Sequence, residues 1–397
     1  MQIPIVRPDL GEDEVQAVAG VIRSGWVAQG PEVAAFEHAL ASAVGAPHAV
    51  AVSSCTAALE LCLRALGVGL GEDVLTVSHS FIATANAVVA VGARPVFVDI
   101  DPATYGMDAR LIKAALTPKT RAILCVHQLG FPCDLAPILA IAKDHGIPVI
   151  EDAACAIGSE IHLAGQWQRI GRPHGLAACF SFHPRKIITT GDGGMITTAD
   201  GALAARLRLL RQHGMSVANT LRHESQRVVF ESFGEPAYNH RMTDMQAALA
   251  RPQLARLDDI IATRRALAER YRVGLQGHSL LAAPQERNWM RANFQSYPLQ
   301  ILPGARLSQV EIMQQLLDHG VASRRGVGNA HAEPAYATLD WTCGPEPCDG
   351  EAHRAGHCLR LRHSEAARDN TILIPLFHGM TQAEQDHVLA ALRLLEA

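Results

Sequence analysis

Between about residue 45 and residue 200 the chain alternates short, near-continuous apolar runs with stretches of helical character. The runs are His48 to Ser53, Asp73 to Val77, Pro95 to Asp99, Ala122 to His127, Ile147 to Glu151, Ala177 to Phe182 and Met195 to Thr198. A strand that is apolar at nearly every position, rather than at every second one, leaves no face for water and must be covered on both sides. Strand, helix, strand repetition supplies that cover, and it predicts an α/β fold with a mostly parallel sheet between helical layers. In such sheets ligands bind in the crevice outside the carboxyl ends of the strands. Three residues with chemical potential stand at those ends: Thr56 after the first run, Phe81 after the second and Asp152 after the fifth.

Beyond residue 245 the pattern changes. A long helix is predicted from Asp244 to Arg272, kinked or interrupted by Pro252, which lacks the N–H donor and crowds the preceding turn. A strand over Gln295 to Leu302, a helix near Ser308 to His319 and a closing helix from Gln382 to Glu396 complete a smaller α+β lobe. The expected organisation is therefore a large domain over residues 1–250 and a small C-terminal domain over residues 251–397, with the N-terminal segment packing on the small lobe. No internal repeat or low-complexity segment interrupts it.

Composition narrows the class. With 397 residues, 48% of them hydrophobic, the chain can bury a large core. Its 35 basic and 39 acidic residues are interspersed, for a formal net charge of −4, so no basic stripe suggests a nucleic-acid or membrane partner. The start, Met1 to Pro8, lacks a charged segment followed by an apolar one, and no apolar run reaches the roughly 18 residues of a membrane span. A cytoplasmic location is expected. Nine cysteines, without a CxxC pair, argue for reduced thiols rather than a disulfide framework. A tail cluster, Cys343, Cys348, His353, His357, Cys358 and His363, places two histidines at i, i+4. The Gly/Pro-rich, polar character of Cys343 to Gly350 reads instead as surface loop, and no metal site is expected.

The chemistry centres on Lys186. It closes the run Ser181-Phe182-His183-Pro184-Arg185-Lys186 and precedes Gly191-Asp192-Gly193-Gly194, so apolar residues and close backbone approach enclose the amine. An enclosed amine together with the Asp152 carboxylate is what pyridoxal phosphate (PLP) chemistry needs: one group for a Schiff base, the other to hold the pyridine nitrogen protonated. Thr56, in Ser53-Ser54-Cys55-Thr56-Ala57-Ala58-Leu59, can offer its hydroxyl and the first helical N–H groups to a phosphate, although a simple helix cap has the same appearance. Asp152 reads equally as a cap, and Phe81 as a core aromatic or as a ring lying flat on a cofactor. Substrate contacts are expected from Gly25 and Trp26, from His183, and from Arg324, Arg325 and His331. The paired arginines suit a diphosphate or a donor carboxylate, and suit a solvated loop equally.

Five ordered motifs span nearly the whole chain. They are Ser24-Gly25-Trp26-Val27-Ala28-Gln29-Gly30-Pro31, Ser54-Cys55-Thr56-Ala57-Ala58-Leu59, Ile150-Glu151-Asp152-Ala153-Ala154, the Ser181 to Lys186 run, and Tyr238-Asn239-His240-Arg241-Met242-Thr243-Asp244-Met245-Gln246-Ala247-Ala248. Taken together they resemble the DegT/DnrJ/EryC1/StrS aminotransferases, a sugar-aminotransferase branch of the fold-type I, aspartate-aminotransferase-like PLP enzymes. The resemblance implies PLP bound to Lys186 as an internal aldimine, with Asp152 at the pyridine nitrogen, Phe81 stacked on the ring, and Ala154 and Cys155 beside it. Thr56, the Cys55 backbone and Ser181 would hold the phosphate, and Asn239 would reach the phosphate of a neighbouring subunit, which implies a homodimer with shared active sites. Cys155 departs from the family, where Gln or His commonly meets the ring hydroxyl; a thiol is a weak donor.

The implied reaction moves an amino group from L-glutamate to a keto-sugar, most often nucleotide-linked, in polysaccharide or antibiotic biosynthesis. Alternatives are a non-sugar ketone such as a keto-cyclitol, a PLP-dependent sugar dehydratase, or a PLP-binding regulatory protein. The dehydratases replace the lysine with histidine, whereas Lys186 is intact here.

Overall fold

The structure is a computed structural model, and it describes residues 1–217, 227–228, 230–344 and 357–396. Every apolar run of the first 200 residues forms a strand, displaced by no more than two residues at either end. These are β1 (His48–Val52), β2 (Asp73–Val77), β3 (Arg94–Val98), β4 (Thr120–Val126), β5 (Val149–Asp152), β8 (Ala177–Ser181) and β9 (Gly194–Thr198). They assemble in the order β1-β9-β8-β5-β4-β2-β3. From β8 to β3 neighbouring strands run parallel, while β9 pairs antiparallel with both β8 and β1. Between β5 and β8 lie β6 (Glu160–Leu163) and β7 (Gln166–Arg169), which join β11 (Met290–Arg291) in a separate three-stranded sheet.

Helices cover the central sheet. In chain order they are α1 (Glu12–Ser24), α2 (Pro31–Val44), α3 (Cys55–Ala65), α4 (Ala83–Ala90), α5 (Ala109–Ala115), α6 (Leu135–His145), α7 (Gly201–Leu210) and α8 (Asp244–Ala255). Phe36 and Leu40 of α2 and Leu59 and Leu63 of α3 meet Val50, Ile150 and Ile196 of the strands in one buried core. A second core forms around the sheet β10 (Leu281–Ala282), β12 (Tyr297–Ile301), β14 (Thr371–Ile374) and β13 (Arg324–Arg325), given in spatial order. Ile3 belongs to it: its N–H donates to the Gly320 carbonyl at 2.8 Å, and its own carbonyl accepts from Ala322 at 2.9 Å. Helix α9 (Leu257–Gly274) enters both cores, with Leu257 and Ile260 in the first and Ala268 and Tyr271 in the second. Among the described residues no helix is long and apolar enough to cross a membrane.

Two expectations are corrected. Pro252 sits inside α8, and the interruption falls four residues later at Arg256, where φ −96° and ψ 8° leave the helical region and the guanidinium pairs with Glu14 of α1 at 3.0 Å. Cys343, expected in a polar surface loop as a reduced thiol, is buried and disulfide-bonded. It packs with Phe97, Trp341, Cys358 and Leu361 over the edge of β3, where the Phe97 N–H donates to the Thr342 carbonyl at 2.6 Å. Cys348 and His353 lie outside the described residues. His357 pairs with Glu365 at 3.2 Å, and the His363 backbone N–H donates to Asp99 at 2.9 Å.

One long-range contact fixes the N-terminal layer. The buried Asp244 carboxylate accepts the backbone N–H groups of Gly30 (2.7 Å), Val33 (3.0 Å) and Glu32 (3.1 Å), capping α2 from the start of α8. Gly30 itself has no side chain to cap with. Asp244→Ala should therefore leave three donors unpaired and cost about 2 kcal/mol of stability, with Asp244→Asn recovering part of it. Chemical denaturation of the two variants measures the difference; equal stability of Asp244→Ala and the parent would contradict the capping account.

Candidate active site

The carboxyl ends of the strands open into a cleft of about 360 Å³. Asp152, the last residue of β5, is 5% exposed and faces it. Its Oδ2 accepts the Thr84 hydroxyl at 2.7 Å, and Oδ1 accepts the Ala154 N–H at 3.1 Å. The Ser80 and Thr84 hydroxyls lie 2.7 Å apart, so the loop before α4 and the first turn of α4 brace the carboxylate together. Its neighbour Glu151 is fully buried and bonded to His127 at 3.1 Å and to the Gly175 N–H at 2.9 Å. Burial alone would raise the Glu151 pKa, but the hydrogen bond from His127 and the nearby His174, 3.8 Å away, outweigh it and bring it down to about 2.

Thr56 stands in the first turn of α3. The Ser54 hydroxyl caps the Ala57 N–H at 3.1 Å, and the Ala58 N–H reaches the Ser54 carbonyl at 3.0 Å. The N–H groups of Cys55 and Thr56 precede the first intrahelical donor and are left at the cleft, where a helix start favours an anion. Gly194 allows this loop to sit against β9: a Cβ there would come within 2.5 Å of the Ser54 backbone.

Lys186 lies in the turn that follows β8. Its N–H donates to the His183 carbonyl at 2.8 Å, and the Thr190 N–H returns to the Phe182 carbonyl at 2.9 Å. Gln253 of α8 holds that turn by bonding both the N–H and the carbonyl of Thr189, at 2.9 and 2.8 Å. The amine reaches Cys155 Sγ at 3.1 Å. Burial lowers the Lys186 pKa, yet Cys155, Asp152 and Cys55 act against it and the net direction is upward.

Ten of the residues singled out from the sequence line this one cleft: Cys55, Thr56, Phe81, Asp152, Ala154, Cys155, Ser181, His183, Lys186 and Arg324. Phe81 is 67% exposed at its rim, which removes the core-aromatic reading. Five others do not reach it. Gly25 ends α1 with φ +77°, and Trp26 donates its indole N–H to the Gln29 carbonyl at 3.1 Å. Asn239 is exposed and accepts from Arg241 at 3.0 Å. Arg325 alternates away from Arg324 along β13 and pairs with Glu333 at 3.7 Å. His331 is buried between Ser78 (2.6 Å) and Glu365 (3.2 Å).

Sequence reasoning missed Thr84, Ser80 and Arg185. Nothing in the Ser78 to Thr84 run marks Thr84, because its role depends on β2 and β5 sharing a sheet. Lysine usage does carry a signal: the chain has only four, Lys113, Lys119, Lys143 and Lys186, and the first three are exposed. Lys186 is the one lysine of the cleft.

The family model of the DegT/DnrJ/EryC1/StrS aminotransferases matches residues 8–393. The chain belongs to that family. It is an aminotransferase by membership, and its mostly parallel α/β/α sheet is that of the fold-type I enzymes. Similar proteins include the spore coat polysaccharide biosynthesis protein SpsC of Bacillus subtilis, 42% identical over 98% of this chain and 96% of that protein. The sugar aminotransferase CalS13 from Micromonospora echinospora superimposes with a TM-score of 0.84 at 28% identity, covering 99% of this chain and 100% of that one. The PLP-form of Spr1654 from Streptococcus pneumoniae does so with a TM-score of 0.87 at 27% identity, covering 100% and 98%.

For this DegT-family chain the bracing of Asp152 is directly measurable. Thr84→Val removes a hydroxyl donor from a buried carboxylate and should cost about 1–3 kcal/mol, whereas Ser80→Ala, one bond further out, should cost less. Thermal unfolding of both variants tests this, and a smaller loss for Thr84→Val than for Ser80→Ala would refute the order of the chain.

Proposed function

We propose that this protein is a PLP-dependent aminotransferase that moves an amino group from L-glutamate to a keto-sugar, nucleotide-linked, in polysaccharide or secondary-metabolite biosynthesis. The observation that carries the reading is that the Lys186 amine, the Asp152 carboxylate and the free N–H groups at the start of α3 line one cleft. That donor set fits the cofactor. The α3 N–H groups, Thr56 and Ser181 suit its phosphate, Asp152 suits its protonated ring nitrogen, and Lys186 Nζ suits a covalent link to its carbonyl carbon. When bound, the group supplies an electron sink for the carbon that loses a proton.

The chain's own residues do the rest. Lys186 Nζ, once free, takes the proton from the donor's amino-bearing carbon and returns a proton elsewhere. Asp152, fixed by Thr84 and the Ala154 N–H, presents its carboxylate where a cation must be held. Phe81 at the rim is placed to cover a ring entering the cleft. Cys155 lies 3.1 Å from the amine, at the position where the family resemblance implies a Gln or His is common. The keto-sugar assignment draws on SpsC and CalS13, whose names speak of polysaccharide biosynthesis and sugar amination.

The same reading makes the active unit a homodimer in the cytoplasm. Asn239 is exposed and outside its own cleft, as a residue serving the neighbour's phosphate must be. The proposed division is a large domain to residue 250 and a small one from 251; Leu254, Leu257 and Ile260 still pack in the first core, so α8 and α9 join the two.

Two outcomes are expected. The purified protein with PLP should show an absorbance band that L-glutamate converts to the pyridoxamine form; Lys186→Ala should lose both the band and turnover while keeping its fold, and retained transamination in that variant would sink the assignment. Asp152→Asn should bind PLP yet lose most of the rate. The raised pKa of Lys186 adds a pH dependence. Only the unprotonated amine attacks a carbonyl, and below a raised pKa that form is the minority species. Covalent loading of apoprotein with PLP should therefore accelerate about tenfold per pH unit between roughly pH 7 and 9; a flat profile would show that the amine is already neutral.

A further inference from the structure

The cleft carries more positive charge than its proposed cofactor chemistry uses. Its lining includes Arg185, Lys186 and Arg324 but only two carboxylates, Asp152 and Asp192. Arg185 and Arg324 come from different elements, the turn after β8 and the edge strand β13. Their guanidiniums are close enough to act on each other: burial first, and then the charge of Arg324, pulls the Arg185 pKa below its ordinary value. His183 is depressed by burial, and Arg185 and Arg324 add to it.

Neither guanidinium has a hydrogen-bond or ion-pair partner among the described residues. Nearby arginines do: Arg325 meets Glu333 at 3.7 Å and Arg368 meets Asp369 at 2.7 Å. The Arg185 backbone, by contrast, is held at both ends. Its N–H donates to His183 Nδ1 at 3.2 Å, and its carbonyl accepts from Gln295 Nε2 at 2.8 Å. A fixed backbone with an unpaired, partly buried side chain is a donor set awaiting an acceptor, and two like charges in one cleft repel until an anion lies between them.

We propose that Arg185 and Arg324 form a subsite for a carboxylate of the amino donor. Arg185 immediately precedes Lys186, so an anion it holds lies close to the reacting amine. The carboxylate of an α-amino acid is one bond from the carbon whose proton Lys186 removes, whereas the phosphates of a nucleotide sugar are separated from the keto carbon by part of the sugar ring. The planar guanidinium fork also matches a carboxylate through two parallel hydrogen bonds. This assignment rests on Lys186 being the reactive amine.

The test uses glutarate, a dicarboxylate without an amino group, titrated calorimetrically into the PLP-loaded protein. Glutarate should bind the parent and bind Arg185→Gln and Arg324→Gln at least about tenfold more weakly, with Arg185→Lys intermediate because an ammonium keeps the charge without the fork. Inorganic pyrophosphate serves as the phosphate probe. Failure of glutarate to bind the parent, unchanged glutarate affinity in either Gln variant, or a loss confined to pyrophosphate would each overturn the proposal. The cofactor absorbance band is recorded in every sample first. Its absence from the parent refutes the PLP reading, whereas its presence with unaltered glutarate binding refutes the subsite alone.

Discussion

Asp152 ends a strand buried on both faces, and a carboxylate in that position must be satisfied where it stands. The structure meets the requirement with the Ala154 N–H, two residues on, and with Thr84 from α4, whose contact depends on β5 and β2 lying in one sheet with β4 between them. The geometry of the cleft depends on that sheet. The same carboxyl edge presents the start of α3, the rim residue Phe81 and the turn holding Lys186. The reversed strand β9 contributes from the other direction, because Gly194 at its beginning lets the α3 loop approach to backbone contact.

The electrostatics of the site follow from this arrangement. Burial penalises charge near the strand ends, and partners offset it: Glu151 has His127 with His174 nearby, and Lys186 has Cys155 and Asp152, while the Asp152 carboxylate accepts hydroxyl and amide donors. Arg185, partly buried, and Arg324, exposed on the edge strand, have no such partner among the described residues, and both line the space a substrate would enter. The cleft thus separates groups satisfied by the fold from groups left for a ligand.

The central sheet was legible in the sequence because a doubly covered strand writes itself as an apolar run, and all seven runs became strands. Less was legible where side chains alternate or are polar. The β6, β7 and β11 sheet includes Gln166 to Arg169, a polar, half-exposed stretch with no apolar signature. Pro252 marked a break near the right place but not at it, since a single missing donor is tolerated inside α8 and the chain turns at Arg256. Within the site, Lys186, Asp152 and Thr56 stood out through their position beside strand ends and glycines. Thr84 and Arg185 did not, because one acts across two elements distant in sequence and the other is defined by the partner it lacks. The family resemblance supplied the expected roles of Phe81 and Asn239; the structure places Phe81 at the cleft and Asn239 on the surface.

The account rests on Lys186 being the amine that carries the cofactor, and the scarcity of lysine makes this easy to test. Borohydride reduction of the PLP-loaded protein would fix any Schiff base as a stable secondary amine, and peptide mass mapping would locate it among Lys113, Lys119, Lys143 and Lys186. The account predicts the added mass on the peptide containing Lys186 alone. Label on one of the three exposed lysines with Lys186 unmodified would contradict it.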